Sequence, residues 1–245
     1  MLFRQLFDQD TWTYTYLIAD RSTGEAVLVD SVLEKVDRDR QLLAELGLTL
    51  RYCLETHVHA DHITGAGRLR DLLGCETIVP PGANVDCADR AMADGEKLQV
   101  GSIEIEAILT LGHTDSHLAY LVNGTHLLTG DSLLIRGCGR TDFQSGNAGE
   151  LYDAITQRLF TLPPETLVYP GHDYRGHLVS TIAEEKEFNP RFANQSRESF
   201  MTLMANLNLP NPKKIAEAVP ANQQCGQSQN GQPQSGQPQA TLVGV

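Results

Sequence analysis

The chain contains no Cys-x-x-Cys pair, and its five cysteines (Cys53, Cys75, Cys87, Cys138 and Cys225) form an odd, scattered set. That pattern suggests neither a disulfide framework nor a thiolate zinc ribbon, and a reducing compartment fits it best. No apolar run approaches the length of a membrane-spanning helix, so no membrane partner is expected. Residues 1–10 carry charges at Arg4, Asp8 and Asp10, where a secretory leader needs apolar side chains, and a cytoplasmic location is the expectation. Positive charge is scarce too: 19 Lys and Arg stand against 31 Asp and Glu, a formal net charge of −12. Such a balance argues against a nucleic-acid binder, which needs a basic footprint. An anionic small substrate remains compatible if isolated arginines near its site overcome the unfavourable long-range field.

At 245 residues, 41% hydrophobic and 20% charged, the chain can bury a sizeable core as one large domain or two small ones. Residues 11–20 and 25–30 alternate apolar and β-branched side chains around the turn-like Ser22-Thr23-Gly24 and read as paired strands. Residues 33–46 have helical apolar spacing that stops at Gly47, and 48–55 read as a further strand. A helix is expected from 61 or 62 to 73, closed by Gly74. Short strands are expected at 77–79, 97–100, 103–109, 117–122 and 126–129, with helices at 149–159, 179–187 and 196–207. Strands clustered with intervening helices suggest an α/β sandwich with helices outside two packed sheets. Beyond Pro220 the composition turns to Gln, Ser, Gly and Pro, which cannot bury a core. A folded domain over 1–220 and a disordered tail over 221–245 are therefore expected, with association through the tail as the alternative.

Within this frame, Thr56-His57-Val58-His59-Ala60-Asp61-His62 crowds three imidazoles and a carboxylate onto a strand-to-helix turn. Neutral imidazole and carboxylate are the main protein ligands for zinc and non-haem iron, and burying so many together without a cation is costly. Downstream, Gly112-His113, Gly130-Asp131 and Gly171-His172 repeat one design. A glycine permits the tight turn that aims the next side chain into a shared cavity, so distant strand ends can converge on one metal.

The segments THVHADH, LGHTDSH, LTGDSLL and YPGHDY resemble the successive motifs of the metallo-β-lactamase superfamily. The resemblance implies an αββα sandwich, two mixed β-sheets with helices on the outer faces. It also implies a first metal site of His57, His59, His113 and bridging Asp131, completed by Asp61, His62 and His172 as a second. Residues 131–143, DSLLIRGCGRTDF, are similar more narrowly to persulfide dioxygenases of the ethylmalonic-encephalopathy-protein type. That similarity continues through YPGHDY, Asn189-Pro190-Arg191, residues 206–210 and Val219-Pro220-Ala221-Asn222, ending around Cys225-Gly226. Two departures are visible: Asp115 stands where that family usually has Pro, and Gly171 where it often has Ala.

For this family the resemblance implies one Fe(II) per chain held by His57, His113 and Asp131, a facial triad that leaves coordination positions open for reactants. His59, Asp61, His62 and His172 then orient ligands and relay protons, or hold a second ion. The implied reaction oxidises glutathione persulfide with O2 and water to sulfite and glutathione, and a homodimer is plausible. The family's glutathione contacts carry over to Arg140, Tyr174 and Arg191, guanidinium groups being suited to bidentate carboxylate recognition. Other roles stay open at these positions: an internal ion pair with Asp142 for Arg140, a helix-terminal or surface role for Arg191, packing for Tyr174. Arg136 is left outside the site as a group that could neutralise buried charge. Cys225 is expected as an ordinary exposed thiol, or else near the cavity where a thiolate could exchange sulfur, while Cys138 is expected to be buried rather than nucleophilic. The competing readings are a glyoxalase II-like thioester hydrolase acting on S-acylglutathione with two metals, Zn(II) being the alternative ion, and a metal-binding or redox-sensing module without turnover.

Overall fold

A computed structural model describes residues 1–210 and 214–226. The first sheet consists of β1 (Leu2–Asp8), β2 (Thr13–Ala19), β3 (Glu25–Val29), β4 (Thr49–Leu54), β5 (Glu76–Val79) and β6 (Arg90–Ala91), lying side by side in chain order. The second is built from β7 (Lys97–Val100), β8 (Ile103–Leu109), β9 (Leu118–Val122), β10 (His126–Gly130), β11 (Leu167–Pro170) and β12 (Ser180–Thr181), also in chain order. Both sheets are mixed: β1 to β3 are antiparallel and β3 to β6 parallel, while the second sheet is antiparallel except for the parallel pair β10 and β11. Helices α1 (Val36–Glu45) and α2 (Ala66–Leu73) cover the first sheet; α3 (Ala148–Gln157), α4 (Ile182–Phe188) and α5 (Arg197–Ala205) cover the second. A sixth helix, α6 (Ile215–Asn222), follows. Among the described residues no helix is long and apolar enough to cross a membrane.

Period-two alternation builds these layers. Tyr14, Tyr16 and Ile18 of β2 face the second sheet, whose Ile103, Ile105, Leu118 and Tyr120 meet them in the central core. The intervening Leu17 and Ala19 face outward onto Val36, Leu43 and Leu69 of the helices. On the far side Ala119, Leu121 and Val168 pack against Leu151, Ile155, Phe200 and Met204. With both faces covered, every residue of β2 is buried. This is the four-layer sandwich expected from the motifs.

Several expected elements shift. The helix after the histidine cluster begins at Ala66 rather than at 61 or 62. Tertiary partners take the amides that would have opened it: Thr64 N–H donates to Asn222 Oδ1 at 2.8 Å and Gly65 N–H to the Ser31 carbonyl at 2.9 Å. The helix expected over 179–187 starts at Ile182, because Ser180 and Thr181 pair with β11 and Thr181 then caps the helix. Strands β1 and β6 and helix α6 were not expected from the sequence, whereas β11 is the strand expected to end at Gly171-His172. The boundary drawn at 220 by composition moves outward, since α6 runs through Pro220 to Asn222 and the described chain continues to Gly226. The Gln-rich stretch from 227 onward lies outside the described residues.

The cysteine reading is also corrected. Cys87 and Cys225 form a disulfide across 138 residues, with Cα atoms 6.0 Å apart, and Cys225 is buried rather than exposed. No local spacing announces this pair; it arises because the end of α6 packs beside the loop preceding β6. Cys138, expected to be buried, is half-buried beside Met204, and burial pushes its thiol up to about 12, with Arg191 pulling the other way.

Candidate metal centre

All the expected ligands sit where strands end at one rim of the sandwich. His57 follows β4, His113 follows β8, Asp131 follows β10 and His172 follows β11. Backbone contacts tie the two sheets together there: Leu118 N–H donates to the Thr56 carbonyl at 2.8 Å, and Tyr14 N–H to the Gly171 carbonyl at 2.8 Å. Because β10 and β11 are parallel, Gly130-Asp131 and Gly171-His172 lie side by side, joined by a 2.7 Å bond from Gly171 N–H to the Gly130 carbonyl.

Donor atoms of His57, His113 and Asp131 fall within 4.8 Å of one another, and those of His59, Asp61 and His62 form a second such group. Hydrogen bonds decide which nitrogen of each ring is available. Thr56 Oγ1 donates to Asp30 Oδ2 at 2.9 Å, so it accepts from His57 Nδ1 at 2.9 Å. His113 Nδ1 donates to the Arg140 carbonyl at 2.7 Å. In each ring Nδ1 is thereby engaged, which leaves Nε2 as the atom able to meet a metal. Burial pushes the His57 ring well below its ordinary value and keeps it neutral. Burial alone would raise the Asp131 carboxyl, but the adjacent His172 draws it down to about 2. Two imidazoles and one carboxylate in this arrangement fit a divalent ion of intermediate softness such as Fe(II) or Zn(II).

The other sequence-derived residues surround this triad. His172 lies between two carboxylates, with Nδ1 2.7 Å from Asp131 Oδ1 and Nε2 2.9 Å from Asp61 Oδ2. Burial opposes its protonation, yet the two carboxylates raise it well above the ordinary value. His62 Nδ1 meets Asp61 Oδ2 at 2.8 Å. His59 Nε2 contacts Asp30 at 3.1 Å and Glu55 at 3.2 Å. Among the described residues, His59 Nδ1 and His62 Nε2 have no hydrogen-bond partner, which leaves that group with metal-binding capacity as well.

The proposed substrate contacts behave less uniformly. Tyr174 is exposed at the rim, its ring parallel to His172 at 6.1 Å and near Trp12 at 6.2 Å. Arg140 reaches the site through its carbonyl, while its guanidinium pairs with Asp142 at 2.7 and 2.8 Å and donates to the Pro210 carbonyl at 2.7 Å. That is the internal ion pair left open above, and a substrate carboxylate would compete with Asp142 for it. Arg191 lies close enough to the Cys138 thiol to favour its ionisation. Arg136 sits outside the site, neutralising buried Glu185 and pairing with Glu184 at 2.9 Å.

Four further groups were not expected as site residues, although His117 lies in LGHTDSH and Asn222 in Val219-Pro220-Ala221-Asn222. Asp30 is buried at the end of β3 and accepts from Thr56 N–H at 2.7 Å as well as contacting Thr56 Oγ1 and His59. Thr13 Oγ1 lies 3.2 Å from Asp61, 3.1 Å from His172 and 3.4 Å from His62. Asn222 bonds the carbonyls of His59 and His62 at 2.8 and 2.9 Å. His117 is fully buried against His57, and burial holds it down at about 3.

A model of the metallo-beta-lactamase superfamily matches residues 13–172. The human protein described as persulfide dioxygenase ETHE1, mitochondrial, is 48% identical over 228 residues, 92% of this chain and 89% of that protein. A crystal structure of ETHE1 from Myxococcus xanthus is similar with a TM-score of 0.91 at 55% identity, covering 93% of this chain and 100% of that one. A hydroxyacylglutathione hydrolase of Rhodospirillum rubrum is 36% identical over 165 residues, 66% of this chain and 62% of that protein.

Proposed function

Because the chain belongs to the metallo-β-lactamase superfamily and, within it, to the persulfide dioxygenases, we propose that it oxidises glutathione persulfide at a mononuclear Fe(II) held by His57, His113 and Asp131. The balanced reaction takes glutathione persulfide, dioxygen and water to glutathione, sulfite and two protons. The observation that carries the reading is the triad itself, in which the Nδ1 atoms of His57 and His113 are hydrogen-bonded to Thr56 and to the Arg140 carbonyl, leaving both Nε2 atoms beside the Asp131 carboxylate. Iron bound there would supply the redox chemistry by which triplet dioxygen reacts with a closed-shell sulfur, which zinc cannot.

The chain's own groups then divide the work. Thr56 and the Arg140 carbonyl fix the ligand tautomers, and His172 holds the Asp131 carboxylate in orientation. Tyr174 and Trp12 form an aromatic wall on one side of the rim, against which the glutathione stem can pack. Arg140 and Arg191 are the cations for its carboxylates, Arg140 by exchanging Asp142 for the substrate.

Metal analysis combined with an oxygen electrode tests this. The expected result is about one iron per chain and O2 uptake that depends on glutathione persulfide. Zinc at two ions per chain without O2 uptake would establish the alternative, a thioester hydrolase of S-acylglutathione using the His59, Asp61 and His62 group. Asp131→Ala is expected to abolish iron binding. Arg140→Ala, which keeps the carbonyl that orients His113, should retain iron and raise KM. Equal iron loss in both variants would show that Arg140 is structural.

A further inference from the structure

The LGHTDSH segment contains a second histidine that the proposed chemistry does not use. His117 stands just before β9 in the second sheet and is completely buried. Its main chain forms an isolated bridge with that of His57, which follows β4 of the first sheet. Its ring lies nearly parallel to the His57 ring, with centroids 5.1 Å apart and planes 20° apart. Its Nε2 accepts the Asp131 backbone N–H at 3.2 Å. Since Nε2 must carry a lone pair to do so, the proton is on Nδ1, which donates to Thr110 Oγ1 at 2.8 Å. The ring is therefore neutral, of one tautomer, and has no nitrogen left for a metal.

The backbone is shaped to admit this ring. Gly130 immediately precedes Asp131 with φ +49°, and a Cβ there would lie 2.7 Å from His117 Nε2. Two ligands from opposite sheets thus share one buried support: the face of the ring backs His57, and its edge holds the main chain from which the Asp131 carboxylate projects.

We propose that His117 is a positioning residue of the metal centre, a strut that sets the separation of His57 and Asp131 across the two sheets. The inference rests on the reading of His57, His113 and Asp131 as ligands. Ligands on separate sheets have no covalent reason to keep a fixed spacing, and loss of a supporting contact to a ligand costs about 10–100-fold in metal affinity.

The test uses the full chain loaded with Co(II), whose visible d–d bands report ligand geometry without turnover. The unaltered protein must bind Co(II) at the triad, with binding lost in Asp131→Ala; failure here overturns the ligand reading itself. His117→Phe keeps an aromatic ring against His57 and removes the acceptor for the Asp131 amide. His117→Gln keeps an amide oxygen as acceptor and removes the ring. The expected result is a loss of about 10–100-fold in Co(II) affinity for His117→Phe, with far-ultraviolet circular dichroism of the metal-free protein unchanged. His117→Gln should recover most of that affinity yet show displaced d–d bands. Native affinity together with native bands in either variant that folds would overturn the proposal. Should His117→Phe not fold, His117→Gln decides alone: displaced bands support the strut and native bands refute it.

Discussion

Gly130 has almost no room to change: besides its contact with His117, a Cβ would lie 2.6 Å from Thr56 Oγ1, and φ is +49°. Both neighbours are fixed, Thr56 by Asp30 and His117 by Thr110. Gly130→Ala is expected to destabilise the protein by about 2–4 kcal/mol, combining overpacking with a left-handed backbone at a residue bearing a Cβ. Urea unfolding would show this as a lower midpoint, and an unchanged midpoint would refute it. Gly171 is tight for a related reason, a Cβ there coming 2.8 Å from Asp131 Oδ1. The candidate ligands were legible at this scale as residue types, with glycines before His113 and Asp131, whereas the choice of His57, His113 and Asp131 among them came from the family resemblance. The roles of Asp30, Thr13 and His117 were not, since an acid at a strand end or a lone threonine has nothing local to mark it.

Two loops show how elements hold the site. Asn222 of α6 accepts from Thr64 N–H and donates to the carbonyls of His59 and His62, so one buried amide clamps the whole turn of the histidine cluster. Asn222→Ala leaves these groups without partners and should cost about 2–4 kcal/mol in unfolding free energy. A change below about 0.5 kcal/mol would mean that the turn holds itself. On the opposite side, Asp173 accepts from the amides of Arg175 and Gly176's neighbour His177 at 2.7 and 2.8 Å, which fixes the loop bearing Tyr174. Burial alone would raise this carboxyl, but the two amides and the His177 ring outweigh it and hold it below the ordinary 3.8. A group depressed in the folded state stabilises above its unfolded value and loses that contribution as pH falls through the folded one. The amide resonances of Arg175 and His177 should therefore titrate with a midpoint below 3.8 in a nuclear magnetic resonance pH series; a higher midpoint would refute the anchoring. Strands with clean alternation, such as β7 and β8, matched their expected bounds. Two-residue strands like β6 and β12 did not show in the sequence, since so short a segment has no period to read.

For the molecule as a whole, the Cys87–Cys225 disulfide is the longest covalent constraint, closing 138 residues and tying the end of α6 to the first sheet's edge. Cross-links over such long loops restrict the unfolded chain, and Cys87→Ser is expected to lower stability by about 3–5 kcal/mol. The comparison is between oxidised native protein and the variant in urea; identical midpoints would show that the pair contributes nothing. Composition and motif order alone determined the layered α/β class, the family likeness and the candidate ligand types, because side-chain identity and period-two patterning are encoded within a few consecutive residues. Only the tertiary structure decided which imidazole nitrogen carries the lone pair, that His172 is bracketed by Asp131 and Asp61, that Arg140 pairs with Asp142, and that Cys87 meets Cys225. Most of these depend on partners brought from other strands and helices, up to 138 residues away in the case of Cys87 and Cys225, and such partners exist only once the chain has folded.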